Sequence, residues 1–123
     1  VIVALHAGYE YLYTPGEFQR AAARAAIDAG ASLVLGHHSH TWQPIEFYGN
    51  GVILYSTGNF VFDQESSTDT AIATLRLDRR GVRQIELTPM VIVGHGRPVL
   101  PSADDARRIL DDIYGLSQRA ASR

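Results

Sequence analysis

Two short apolar runs restrict the folding of this chain more than any other feature. "VIVAL" at residues 1–5 and "ASLVLG" at residues 31–36 are continuous rather than alternating and rich in aliphatic side chains. That is the pattern of strands covered on both faces. Helix grammar fills the space between them. "TPGE" offers Thr14 as N-cap, Pro15 as the first helical residue and Glu17 three places after the cap to close a capping box. Phe18, Ala22, Ala25, Ala26 and Ala29 follow at helical spacing, and Gly30 supplies a left-handed residue to end the helix. Strand, helix, strand in this order predicts a right-handed βαβ unit with parallel strands at residues 1–5 and 32–35.

Open parallel sheets bind ligands beyond the carboxyl ends of their strands. His6 ends the first strand, and "GHHSH" places His37, His38 and His40 at the end of the second. The topology therefore predicts that the two histidine sites are neighbours in space. In an extended segment His38 and His40 project to one side and His37 to the other. The chain has no cysteine, which excludes disulfides and thiolate chemistry, so any metal must sit on histidine, carboxylate or amide. Neutral imidazole is a common ligand of zinc, manganese and iron. Two same-side imidazoles plus His6 make a half-shell for one or two ions; the plainer alternative is a polar loop whose histidines cap backbone groups.

After the histidines the pattern turns antiparallel. "PIEFYGNGVILYSTGNFVFD" holds two strand-like runs joined by "GNG", and "TAIATLRLDRRGVRQIELTPMVIV" holds two more around "DRRG". In the latter, Ala71, Ala73, Leu75 and Leu77 alternate only approximately with Thr70, Thr74, Arg76 and Asp78. "GHGRPVLPS" reads as loop, with His95 in it. Residues 102–116 read as a surface helix: Ser102 is the N-cap, Asp104 and Asp105 stand in the first turn, and Ile109, Leu110 and Ile113 form an apolar stripe. Phe60 and Phe62 read as core alternation and Trp42 as core or pocket rim. The expected fold class is α/β: a βαβ unit, then antiparallel strands, then a C-terminal helix. With 123 residues, 46% of them hydrophobic, one domain is the expectation.

Thirteen acidic residues against eleven basic ones give a net charge of −2, and all the basic residues are arginine. No nucleic acid is expected as a partner. The apolar runs are of strand length, below a membrane span, and no targeting signal is visible. The chain opens in mid-run without methionine, so it reads as the C-terminal part of a longer protein, with the upstream half of the same domain as its nearest partner.

"VIVALHAGYEY", "DAGASLVLGHHSHTWQPIEFYGNGVILYSTGNFVFDQ" and "ELTPMVI" resemble the bacterial capsule-synthesis CapA family, associated with poly-γ-glutamate production and a calcineurin-like metallophosphoesterase fold. The resemblance covers most of the chain and is weakest after residue 93. It implies that residues 1–123 are the C-terminal part of a single domain, half of a β-sandwich flanked by helices. It also implies metal-dependent hydrolysis of a phosphoester at two divalent ions, manganese, zinc or iron, which would lower the pKa of a bridging water. By position, His6 and His38 would hold one ion and His40 the other. His37, open between a ligand and an outer-sphere role, would as the catalytic group help a leaving group or orient substrate. Glu10 and Asn59 are the substrate-binding candidates; Glu10 could also support a metal-bound histidine, an exposed loop carboxylate being its plain alternative, as a turn residue is for Asn59.

The chain departs from the family pattern in three places. Gly36 precedes His37 rather than the His38-Ser39-His40 pair, Ala7 stands where the family has tryptophan, and the family's aspartate and asparagine-histidine motifs are not among these residues. The isolated chain is therefore expected to be inactive. The resemblance further implies a polyanionic polymer or small phosphoester as substrate, capsule-synthesis membrane proteins as partners, and a membrane-associated or extracytoplasmic place in bacteria. A non-catalytic polymer-handling or assembly module on the same fold is the rival from another class.

Overall fold

Parallel pairing of the two apolar runs organises the chain. In a computed structural model that describes residues 1–63 and 68–121, β1 (Ile2–His6) pairs with β2 (Leu33–His37) in the register Ile2↔Leu33 through His6↔His37. The crossover between them is α1 (Glu17–Asp28). The hairpin β3 (Ile45–Tyr48) and β4 (Gly51–Leu54) completes a four-stranded sheet of order β1-β2-β4-β3, with β4 parallel to β2 and β3 antiparallel to β4. A second, antiparallel sheet has the order β5-β6-β7: β5 (Asp69–Asp78), β6 (Gly81–Val93) and β7 (Arg97–Val99). The helix α2 (Ala103–Ala121) follows. The structure is thus mixed α/β, as the sequence leads one to expect.

The continuous apolar character of β2 and β4 has its cause in two-sided burial. Val34 and Ile53 pack with Tyr55 against Ala23 and Ile27 of α1. On the other face Leu33, Val52 and Leu54 meet Ala73, Leu75, Val82 and Ile85 of the second sheet. Each such side chain contributes roughly 1.5–3 kcal/mol on burial. A one-residue slip would exchange the two faces of the whole strand, so this burial pins the register. The strand β1 departs from the expectation of cover on both faces. It is a sheet edge, and while Val3 and Leu5 join the α1 cluster, Ile2 is 56% exposed and Ala4 lies open on the same face.

The helix α1 starts later than its sequence suggests. Gly16, not Thr14, is the N-cap, with no side-chain cap bond, and Pro15 is buried ahead of the helix, so the capping box does not form. The buried face is also different: Gln19, Ala23 and Ile27 point inward, whereas Phe18 is 79% exposed. Its alanines fill a broad arc opposite Glu17, Arg20, Arg24 and Asp28, so the periodicity marks the polar side but not which part of the wide apolar arc is buried; tertiary partners decide. Of the expected stripe, Ala26 is shared with the core. The C-terminal end is as read. Gly30, at φ +100, lets its own N–H reach Ile27 O at 2.9 Å and that of Ala31 reach Ala26 O at 3.0 Å, a Schellman closure.

Arg24 of α1 binds Glu46 of β3, and Tyr55 donates to the same carboxylate, tying the helix to the far strand of the sheet. Burial pushes the Glu46 carboxyl upward, but the bonds from Arg24 and Tyr55 outweigh it and hold the group below its ordinary value. Burial and the Glu46 bond both push the Tyr55 phenol up.

In the second sheet Ala71, Ala73 and Leu75 face inward as expected, and a register shift between Arg76 and Leu77 turns Leu77 outward. Thr70 breaks the alternation: it is fully buried, its hydroxyl donating to the backbone oxygen of Asn59. Part of the stretch read as loop is instead β7, which pairs Val91↔Val99 through Val93↔Arg97 and leaves His95 on the connecting turn. The helix α2 runs beyond residue 116 and buries Ile109 and Ile113 against Trp42 and Ala71. Ser102 caps it, accepting the Asp105 N–H at 3.1 Å.

Candidate functional site

The parallel register puts His6 and His37 side by side at the carboxyl ends of β1 and β2. The backbone then leaves the sheet abruptly. A Cβ on Gly36 would lie 1.9 Å from the carbonyl oxygen of Tyr55, so only glycine lets the chain pass β4 there. Beyond it the backbone enters the left-handed region at two non-glycine positions, His38 (φ 105) and His40 (φ 61), with Tyr11 (φ 60) doing the same in the facing loop. Each costs roughly 1–3 kcal/mol.

A lacing of buried polar groups offsets that cost. Tyr11 N–H donates to Ser39 O at 2.7 Å. The Thr41 hydroxyl and the Gln43 side-chain amide both donate to Leu12 O at 2.9 Å. Behind them Gln19, reaching from α1, donates to Gln43 Oε1 at 2.8 Å and to Tyr55 O at 2.9 Å. Ser39, Thr41, Gln43 and Gln19 are all buried. Sequence reasoning passed over these four. For Ser39, Thr41 and Gln43 the signal is the polar run interleaved with the histidines, "SHTWQP", too polar for a strand that nevertheless lies inside; Gln19, on α1, has no such signal around it.

Three of the four histidines converge. His38 Nδ1 faces His6 Nε2 at 3.1 Å, with ring centroids 4.9 Å apart, and the His40 ring centre lies 6.5 Å from that of His38. His40 is the most enclosed. Its Nδ1 lies 2.8 Å from Asn59 Oδ1, its Nε2 is 4.0 Å from Glu10 Oε1, and Tyr11 stacks on the ring. Phe62 packs on the same ring at 5.2 Å and is part-exposed, as Phe60 is, so neither takes the core position expected from alternation. Trp42 is core. The His37 side chain is exposed and takes no part in the contacts joining the other three; its carbonyl accepts the Ala7 N–H at 3.3 Å. Gln64, the last residue of the longest family-like stretch, lies outside the described residues.

Two imidazole nitrogens 3.1 Å apart suit either an N–H···N hydrogen bond or shared ligation of one cation, whose nitrogen ligands stand at about 2.0–2.1 Å from a zinc ion. The donor chemistry of this pair fits a zinc, manganese or iron ion. Among the described residues no group of three or more histidine and carboxylate side chains is placed to hold an ion unaided, so the fit is that of part of a coordination shell.

A sequence model of the bacterial capsule synthesis protein PGA_cap matches residues 1–64, the stretch that carries His6, Glu10, His37, His38, His40 and Asn59. The PGA biosynthesis protein CapA of Bacillus subtilis (strain 168) is 46% identical over 94 residues, which are 75% of this chain and 25% of that protein. The capsule biosynthesis protein CapA of Bacillus anthracis is 39% identical over 110 residues, 87% of this chain and 27% of that one. A Mycobacterium tuberculosis protein (strain ATCC 25618 / H37Rv) named "Probable polyglutamine synthesis accessory protein" is 42% identical over 64 residues, 52% of this chain and 17% of its own. The chain spans about a quarter of the length of the two Bacillus relatives.

Proposed function

The chain belongs to the family of the bacterial capsule synthesis protein PGA_cap, and from that premise we propose that it serves poly-γ-glutamate capsule synthesis as part of a metal-dependent, phosphoesterase-like hydrolase. The facing pair His6 Nε2 and His38 Nδ1 carries the reading. Two neutral imidazoles meeting nitrogen to nitrogen can share one proton at most, whereas a divalent cation engages both lone pairs at once. His6 and His38 would hold one ion and His40 a second.

When bound, the ions supply a water of lowered pKa and neutralise charge developing on the attacked phosphorus. His37, exposed at the same strand end, delivers a proton to the leaving group or orients substrate. Glu10, whose carboxylate lies 4.0 Å from His40 Nε2 and outside hydrogen-bonding range, faces the same space and is the substrate-binding group there. Carboxylates to balance the charge of such ions would be needed besides these histidines. The substrate is a small phosphoester or a polyanionic polymer, and the working partners are the membrane proteins of capsule synthesis, which calls for a membrane-associated or extracytoplasmic place. Among the described residues no helix is long and apolar enough to cross a membrane.

The full-length protein tests this. His38→Ala and His40→Ala should each lower bound manganese, zinc or iron, read by elemental analysis, together with hydrolysis of a generic phosphodiester. His37→Ala should lower turnover with the metal retained. Full metal stoichiometry in both ligand variants overturns the assignment. The accessory naming of the mycobacterial relative favours a second reading, an assembly or polymer-handling module with a structural metal. That reading is supported if the metal-loaded protein hydrolyses no phosphoester while the ligand variants still reduce polymer yield.

A further inference from the structure

The His40 ring is gripped at one nitrogen and open at the other. Asn59 Oδ1 lies 2.8 Å from Nδ1, Tyr11 stacks at 5.7 Å with an interplanar angle of 22°, and Phe62 closes another side. Nε2 is directed toward Glu10, 4.0 Å away and beyond hydrogen-bonding range. A neutral imidazole carries its proton on one nitrogen and a lone pair on the other, and the partner of the first decides what the second can do.

Asn59 is well placed to make that decision. It is 8% exposed, and its own backbone oxygen is held by the Thr70 hydroxyl from β5, inside the second sheet. Its side chain therefore meets His40 from a fixed direction. An amide can offer either end. With Oδ1 toward the ring, the proton sits on Nδ1 in a full hydrogen bond and Nε2 faces the site as a lone pair. With Nδ2 toward the ring, Nδ1 accepts and the proton moves to Nε2, where a ligand would need the lone pair. The orientation present is the first, with Nδ2 buried and unpartnered.

We infer that Asn59 is a positioning residue that sets the tautomer of His40, holding its proton on Nδ1 so that Nε2 is presented to the site unprotonated. This deepens the metal reading above and rests on it for its purpose, but the tautomer is a property of the metal-free protein. It also gives Asn59 a role apart from direct substrate contact, since its free amide nitrogen is buried.

The test uses the full-length protein, labelled with ¹⁵N-histidine and stripped of metal by chelation, at about pH 8, where an ordinary imidazole is neutral. Long-range ¹H–¹⁵N correlation, assigned with His40→Gln, should show His40 Nδ1 in the protonated range and Nε2 in the unprotonated range. Asn59→Asp, whose carboxylate accepts the same proton, should keep that pattern, and Asn59→Leu should shift the proton to Nε2. Added manganese should then bind about 10–100-fold more weakly to Asn59→Leu and be retained by Asn59→Asp. A wild-type ring protonated on Nε2 overturns the inference, and so does an Asn59→Leu ring still protonated on Nδ1. If Asn59→Leu does not fold, the wild-type and Asn59→Asp spectra still decide. Loss of metal binding by the wild type would strike the metal reading and leave the tautomer standing.

Discussion

Gln19 of α1 donates to Gln43 Oε1 at 2.8 Å, the helix thereby gripping the back of the histidine loop. Gln19 is 2% exposed, and its second bond, to Tyr55 O, reaches β4's continuation. One side chain thus couples the crossover helix, the sheet and the loop that carries His38 and His40.

Gln19→Leu should destabilise the protein by about 1–3 kcal/mol. It keeps the bulk but leaves Gln43 Oε1 and Tyr55 O buried without their donor, and orphaned acceptors are costly. Chemical denaturation measures the loss. Hydrogen exchange should quicken at residues 38–43 more than in the second sheet. A change below about 0.5 kcal/mol would mean that the lacing contributes little.

The Glu46 carboxyl is held below its ordinary value of 4.5 chiefly by Arg24 and Tyr55, against the opposing effect of burial. A depressed carboxyl adds stability that is present above the unfolded-state value and lost as pH falls through the folded-state value. Wild-type stability should therefore decline as pH drops below about 4.5, and Glu46→Gln should be less stable near neutrality with a flatter acid limb. Denaturation midpoints followed from neutral to acid pH check both; parallel curves for the two proteins would remove Glu46 from the acid response. Because Arg24 is partly exposed, solvent screening keeps the effect modest.

The free edge of β1 should make the isolated chain self-associate. Val1 and Ile2 are 84% and 56% exposed beside unpaired strand backbone, a combination that recruits further strands. Light scattering of residues 1–123 should report oligomers, and Ile2→Lys should reduce them. The same preparation should bind metal weakly and turn over no phosphodiester. A monodisperse monomer with hydrolytic activity would refute both expectations.

Short-range pattern carried much of this protein. The continuous runs at β1 and β2, the glycine closing α1, the hairpin signals and the serine cap of α2 are each written within a few neighbouring residues, because strand burial, turn geometry and capping are local energies. The shared edge of His6 and the later histidines followed as well, since parallel pairing leaves their strands no other mutual arrangement. Tertiary contact decided the rest. Which part of the broad apolar arc of α1 is buried was illegible because alanines line most of that arc, and the choice fell to Gln19, whose partners lie at Gln43 and Tyr55. The left-handed turns at His38 and His40, laced to Tyr11 and Leu12, and the approach of Phe62 and Asn59 to His40 likewise depend on partners far along the chain. A side chain stabilised by one specific contact far along the chain leaves no periodic trace in its own neighbourhood, and the functional detail of this site consists of such contacts.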